Sequence, residues 1–200
     1  VTRGTFVVFE GIDASGKSTQ ARRVAAQRGA LFAFEPGDTT LGAELRRWLL
    51  DGSTPMRPVT EALMMLADRS HHVATVIEPA LRAGTSVVAD RFEASTLAYQ
   101  GFGRGLDLSD LEAATELAIG GCRADLTVLI DIDIATANER RARNAEDRFE
   151  SADAEFHERV REGYLEIARR DVAHWFVVDG RARPEDVAVV IDERLDQLDW

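Results

Sequence analysis

The stretch with the clearest chemistry is Gly11-Ile-Asp-Ala-Ser-Gly-Lys-Ser18, which fits G-x-x-x-x-G-K-[ST] at every restricted position. Each restricted residue has a physical task. Gly11 and Gly16 permit positive φ and let the backbone approach a ligand closely. Successive N–H groups in such a loop converge on phosphate oxygens. The helix that follows points its N-terminus at the same anion. Lys17 reaches the β and γ phosphates, and the Ser18 hydroxyl can ligand magnesium. Lys17 is also the only lysine in the chain, against 23 arginines. The triphosphate-binding set predicted from this loop is Gly11, Ile12, Asp13, Ala14, Ser15, Gly16, Lys17, Ser18 and Thr19.

A cradle of this kind needs a strand before it and a helix after it, and the sequence supplies both. Residues 5–10 (TFVVFE) read as a strand, and a helix is predicted from Ser18 to Arg28. Further strands are predicted at Ala30–Phe34, Thr85–Ala89, Leu126–Ile132 and His174–Val178. Helical patterns fill the intervals. They run from a cap at Thr39 or Thr40 through about Leu50, through Val59–Arg82 with a bend at Pro79, and through a segment near Ser95 that ends at Gly101–Gly105. Ser109–Ile119 follows, with Ser109 and Glu112 as a capping box, then Ala135–Arg143, Ala154–Arg170 and Pro184–Leu198. Short apolar strands alternating with helices predict an α/β fold: a three-layer αβα P-loop NTPase with a five-stranded parallel sheet flanked by helices. No linker or repeat divides the chain, so residues 1–200 are expected to form one domain.

Composition narrows the function. The chain carries 24 basic and 35 acidic residues, a formal net charge of −11. An acidic balance argues against nucleic-acid or anionic-membrane binding. One cysteine, Cys122, excludes an internal disulfide and a multi-cysteine zinc site. There is no apolar run long enough to span a membrane and no signal-peptide pattern, so a cytoplasmic protein is expected. Small GTPases read guanine with Asn-Lys-x-Asp, and the single lysine is already used at position 17. Phosphoryl transfer to a small acceptor is the favoured chemistry.

Several segments beside the phosphate loop carry a more specific likeness. Phe34-Glu35-Pro36-Gly37 follows the second strand, DRFEASTLAYQG occupies Asp90–Gly101, and an arginine cluster spans Arg140–Arg148. ADLTVLIDID at Ala124–Asp133 and GYLEIA at Gly163–Ala168 stand in the same order. Together they resemble the thymidylate kinase (dTMP kinase) family over nearly the whole chain. The resemblance implies transfer of the γ-phosphate of ATP to dTMP, giving dTDP, with magnesium. It implies that Asp13 contacts the deoxyribose 3′-hydroxyl and Arg69 the thymine edge. It also implies that Asp90 organises magnesium alongside Ser18, that Arg91 contacts the acceptor phosphate, and that Ser95, Tyr99 and Gln100 line the acceptor site. Family members pair as homodimers through such long helices, and Leu63, Met64, Leu66, Val73, Val76 and Ile77 give Val59–Arg82 more apolar positions than one buried stripe requires.

The chain departs from the family at recognisable places. Position 14, arginine in some members, is Ala14. The catalytic arginine is therefore expected from a lid at about residues 140–152, with Arg140, Arg143 and Arg148 as candidates and Lys17, Asp90 and Arg91 completing the catalytic set. The position that normally grips the acceptor phosphate is Phe34, the position that stacks on thymine is Met65, and the residue after Asp90-Arg91 is Phe92. All three lie on the acceptor side. Two alternatives to dTMP kinase thus stay open: another nucleoside monophosphate kinase, and an ATP-binding protein with a decayed acceptor site. Asp131, Asp133, Cys122, the histidines and the tryptophans read as structural.

Overall fold

The computed structural model describes residues 2–51, 53–141, 154–198 and 200, and the side chain of Arg141 is not included. Five strands form one parallel sheet: β1 (Phe6–Glu10), β2 (Leu31–Phe34), β3 (Val87–Asp90), β4 (Leu126–Asp131) and β5 (Trp175–Asp179). Their order across the sheet is β2-β3-β1-β4-β5. β1 pairs with β3 so that Phe9 faces Asp90, and with β4 so that Glu10 faces Leu129. The strand ends differ from the predicted ones by one or two residues, the usual uncertainty of a boundary.

Alternation along β1 distributes its side chains to two cores, as the pleat requires. Val7 and Phe9 pack against α1 (Lys17–Arg28) and α9 (Pro184–Leu195) through Ala21, Val24, Val187 and Ile191. Phe6 and Val8 turn the other way. They meet Val73, Ile77 and Leu81 from the long helical hairpin arm that begins with α3 (Pro58–His72). A third cluster beside β4 joins Ile12 and Leu129 to Tyr99, Phe156 and Tyr164, the last two on α8 (Ala154–Arg170). The described residues therefore build the predicted αβα sandwich, with α2 (Thr40–Leu50), α6 (Leu108–Ile119) and α7 (Ile134–Arg141) completing the helices introduced so far.

Three local expectations change. The helix predicted at Val59–Arg82 with a bend at Pro79 is not regular throughout: it widens into π-helical turns at Val73–Ile77 and resumes as α4 (Glu78–Arg82), which has Pro79 in its first turn, where a missing N–H costs little. The segment near Ser95 does end among the glycines at 101–105, but not as regular α-helix: α5 (Glu93–Thr96) runs into a second π-helical stretch, Leu97–Gly103. Gly103 is there for close approach: a Cβ on it would lie 2.6 Å from the Phe156 ring on α8. Finally, the cap of α6 is Asp107, whose side chain accepts from Ser109 N and Asp110 N, so Ser109 and Glu112 are not a capping box. The last helix ends at Leu195, short of the predicted Leu198.

Candidate functional site

The C-terminal ends of β1, β2 and β3 lie side by side, and the chemistry-bearing residues gather there, where open α/β sheets bind ligands. The loop after β1 is the phosphate cradle. Gly11 has φ 146°, and a Cβ on it would sit 2.5 Å from the Ile130 carbonyl oxygen, so no other residue fits. Ala14 also holds a left-handed φ of 65°, an unusual conformation for a residue with a Cβ. Gly16 caps α1, and Lys17 and Ser18 open it. Ile12 is absorbed into the core and Thr19 faces out, so these two members of the predicted set are scaffold and rim. The Lys17 ammonium lies 3.6 Å from Asp13 and 3.5 Å from the Ile12 carbonyl. Burial lowers its pKa, as does Arg91, while Asp13, Asp90 and Glu10 pull the other way.

The turn after β3 supplies the central group. Arg91 has φ 73°, a strained conformation for an arginine at a strand end. That turn throws its guanidinium back across the cradle. Nη2 bonds to the Asp13 carboxylate and to Tyr99 Oη at 3.0 Å. Nη1 bonds to Tyr164 Oη at 3.0 Å, Ser95 Oγ at 3.1 Å and the Gly11 carbonyl at 3.3 Å. Tyr99 Oη also donates to Asp13 at 2.8 Å. Burial works against the Arg91 charge, but Tyr99, Asp13, Tyr164 and Glu10 more than offset it, so the guanidinium stays charged. Beneath it lies Glu10, fully buried, which accepts from Phe92 N, Ser95 N, Ser95 Oγ and Tyr164 Oη. Burial raises its pKa above the ordinary carboxylate value, with Arg91 and the bonds from Ser95, Phe92 and Tyr164 opposing. The sequence reading had no role for Glu10. Its position as the last residue of β1, directly before the glycine-rich loop, was the available signal.

Two cavities share this wall. One, about 100 Å³, is lined by Pro36, Met65, Arg69, Ser95, Tyr99 and Gln100 among others. The second, about 320 Å³, is lined by Lys17, Ser18, Arg22, Phe34 and Asp90. Asp13, Glu35, Arg46 and Arg91 border both. The structure thus brings Met65, Arg69, Ser95, Tyr99 and Gln100 together in the first cavity and places Phe34 in the second. Phe34 brings no charge there, but Arg46 from α2 and Arg22 from α1 do, and neither was among the predicted residues. Arg46 is anchored by a 2.8 Å bond to the Pro36 carbonyl, while Arg22 lies over the Phe32 ring at 4.2 Å. Neither occupies a restricted position of the glycine-rich motif, which hides them from motif reading.

Asp90 Oδ1 is buried and has no hydrogen-bond partner among the described residues. An orphaned carboxylate oxygen in the same cavity as the Ser18 hydroxyl makes an oxygen pair suited to magnesium held beside a polyphosphate. Arg140, on α7, reaches the cradle from the lid side, donating to the carbonyls of Ala14 at 3.2 Å, Ser15 at 3.3 Å and Gly180 at 2.8 Å. Arg143 and Arg148 lie outside the described residues. Asp131 pairs with Arg161, and Asp133 accepts from Thr136 N at the start of α7, so both carboxylates are structural. Cys122 is a buried core residue, whereas Trp48 is exposed.

Behind the smaller cavity lies a buried polar cluster. Arg69 donates to Glu35 Oε2 at 2.7 Å, Thr96 Oγ1 at 2.6 Å and the Phe92 carbonyl at 2.8 Å. His72 lies 3.0 Å from Glu35 Oε1 and 3.1 Å from Asp38 Oδ2. Burial opposes the imidazolium, yet these two carboxylates raise the His72 pKa overall. Asp68 is pushed up to about 6, first by burial and then by the charge of Glu35.

The comparisons with known proteins agree. The family model described as thymidylate kinase matches residues 9–191. A thymidylate kinase of Desulforudis audaxviator is 47% identical over 183 residues, covering 88% of this chain and 83% of that protein. One from Geobacter sulfurreducens is 42% identical over 205 residues, covering 96% of each. The crystal structure of thymidylate kinase from Ehrlichia chaffeensis superimposes with a TM-score of 0.81 at 29% identity, covering 98% of this chain and all of that one.

The buried cluster has a pH signature. The folded-state pKa of Asp68, about 6, exceeds its ordinary 3.8. The native state therefore holds a proton that the unfolded state has released, and stability falls as pH rises from about 4 to about 6. Asp68→Asn removes the ionised form and keeps an acceptor for the Gly37 amide. It is expected to raise Tm at pH 8 relative to the unsubstituted chain, by about 1–3 kcal/mol of stability, with the gain shrinking toward pH 4.5. Thermal melts of both proteins across that range check it.

Proposed function

The chain belongs to the thymidylate kinase family, and from that premise we propose how its residues divide the work of the reaction. It is an ATP-dependent kinase that phosphorylates dTMP to dTDP. The observation that carries the residue assignment is Arg91, bonded to Asp13 of the cradle and bordering both cavities at once. A group in that position can touch both polyanions of a phosphoryl transfer.

In this reading the backbone N–H groups of Gly11–Ser18 and the Lys17 ammonium hold the β and γ phosphates of ATP. Asp90 and the Ser18 hydroxyl would hold magnesium, which neutralises phosphate charge when bound. Arg91 and Arg46 grip the acceptor phosphate between the two cavities. Arg46 supplies the charge that Phe34 does not, which supports a working acceptor site over a decayed one. The base lies in the smaller cavity between Met65, Arg69 and Gln100, with the sugar against Asp13 and Tyr99. The attacking acceptor oxygen is already anionic, so the chain needs no general base and positioning with charge neutralisation suffices. Arg140 is the described arginine closest in role to a lid cation: while Nη2 is anchored on the Gly180 carbonyl, Nη1 bonds backbone carbonyls of the cradle, which a transferring phosphoryl group outcompetes. The chain acts as one domain in the cytoplasm, in keeping with its single buried free cysteine.

Two measurements check this reading. With ATP and magnesium, ADP release is expected with dTMP in clear preference to dCMP, UMP, dGMP and AMP, and Lys17→Ala is expected to lower kcat by at least about a hundredfold. A different preferred acceptor, or a Lys17→Ala rate near the original, would contradict it. A homodimer through α3 is also part of the proposal. Leu66, Val73 and Ile77 are consumed by the core, but Leu63 is 60% exposed and Val59 48%. Leu63→Glu is expected to convert a dimer to a monomer in sedimentation; an unchanged mass would place the interface elsewhere.

A further inference from the structure

Glu61 lies on α3, has no solvent exposure and lines neither cavity. A carboxylate held out of water is costly unless its oxygens are well paired. Two partners come from the π-helical stretch after α5 and the turn following it. Gln100 Nε2 donates to Oε1 at 2.9 Å, and Arg104 donates through Nε and Nη2 at 3.3 Å each. Arg104 is itself seated over the Phe156 ring at 4.5 Å. N–H groups of Gln100 and Arg104 face both of its oxygens, so Glu61 accepts in these contacts. Of the two ends of the Gln100 amide, only the nitrogen can face it.

That restriction has a consequence for the cavity. Gln100 is 1% exposed and lines the smaller cavity beside Arg69. With its nitrogen turned to Glu61, its carbonyl oxygen is the end left for a bound molecule, and it takes no hydrogen bond among the described residues. Next to it, Arg69 spends three N–H groups on Glu35, Thr96 and Phe92 and keeps donors in reserve. The cavity therefore presents an acceptor beside donors. Thymine offers the complement, an N3–H donor beside the O4 acceptor. Cytosine offers the reverse, an unprotonated N3 beside an amino group, and would set acceptor against acceptor and donor against donor.

We propose that Glu61 is a positioning residue for base selection: by fixing the Gln100 amide it makes the site accept pyrimidines that carry an N3–H and reject aminopyrimidines. The inference rests on the dTMP kinase reading and adds to it a residue that does not touch the base. A site built around a fixed hydrogen-bond direction discriminates strongly, because the wrong base leaves buried groups unpaired.

The test uses the full-length enzyme with E61Q, Q100E and the double swap E61Q/Q100E, measuring kcat/KM for dTMP and dCMP and KM for ATP. In E61Q a neutral amide can pair with Gln100 in either orientation. The dTMP-to-dCMP selectivity is expected to fall by about tenfold, through KM for the nucleotide acceptor and not through KM for ATP. In the double swap, Gln at 61 donates to Glu at 100, whose other oxygen again faces the base. Selectivity for dTMP is expected to return toward the original. Equal losses with dTMP and dCMP, unaltered selectivity in E61Q, or no recovery in the double swap would overturn the proposal. So would loss of fold in both E61Q and the double swap, since the pair would then hold the fold and not the base. If the unsubstituted enzyme turned over no dTMP, the kinase reading itself would fail, whereas normal dTMP turnover with unchanged selectivity in E61Q would count against Glu61 alone.

Discussion

The arrangement depends on one buried charge held in a strained backbone. Arg91 sits at positive φ at the end of β3, and the strain turns its guanidinium across to Asp13 in the loop after β1. β1 and β3 are hydrogen-bonded neighbours with Phe9 opposite Asp90, so the two loops leave the sheet side by side. Such a conformation persists only where the surroundings over-determine it. Here Glu10 anchors the turn through the amides of Phe92 and Ser95, while Tyr99 and Tyr164 bond the guanidinium from above. A single side chain with fixed partners thus borders both cavities.

Electrostatics explain why an acidic protein can bind two polyanions. Net charge is −11, yet Lys17, Arg22, Arg46 and Arg91 converge on one cavity and Arg140 bonds the backbone of the glycine-rich loop. The carboxylates nearby are mostly engaged: Asp13 with Arg91, Glu35 with Arg69 and His72, Glu10 with hydroxyls and amides. Local arrangement, and not net charge, sets the potential that an incoming nucleotide meets. Asp90 is the exception, since its Oδ1 lacks a partner among the described residues, which is where a cation is wanted.

The elements and the cradle were legible because their signals are local. A strand, a glycine-rich loop with a lone lysine and a helix occupy consecutive positions, and each boundary is marked by a glycine or a burial change. Arg69, Tyr99 and Gln100 were reached through family likeness, and the fold does bring them to one cavity. What stayed hidden is long-range. Arg46 and Arg22 compensate for Phe34 only after α1 and α2 pack beside β2. Glu61 meets Gln100 across 39 positions of sequence. The π-helical turns were equally opaque, because one extra residue per turn barely alters an apolar pattern. Asp107 took the cap expected of Ser109 because the helix begins earlier, at Leu108, and the Asp107 carboxylate accepts from the Ser109 and Asp110 amides of its first turn.

The most direct measurement is Arg91→Lys, with steady-state kinetics for dTMP and calorimetric ATP binding on the same protein. Lysine keeps the charge but cannot fork between Asp13, Tyr99 and a phosphate. If Arg91 joins the two sites, kcat/KM for dTMP falls by about a hundredfold or more and ATP binding weakens with it. Activity within about threefold of the original would contradict that account, because a point charge would then serve as well as the bridge.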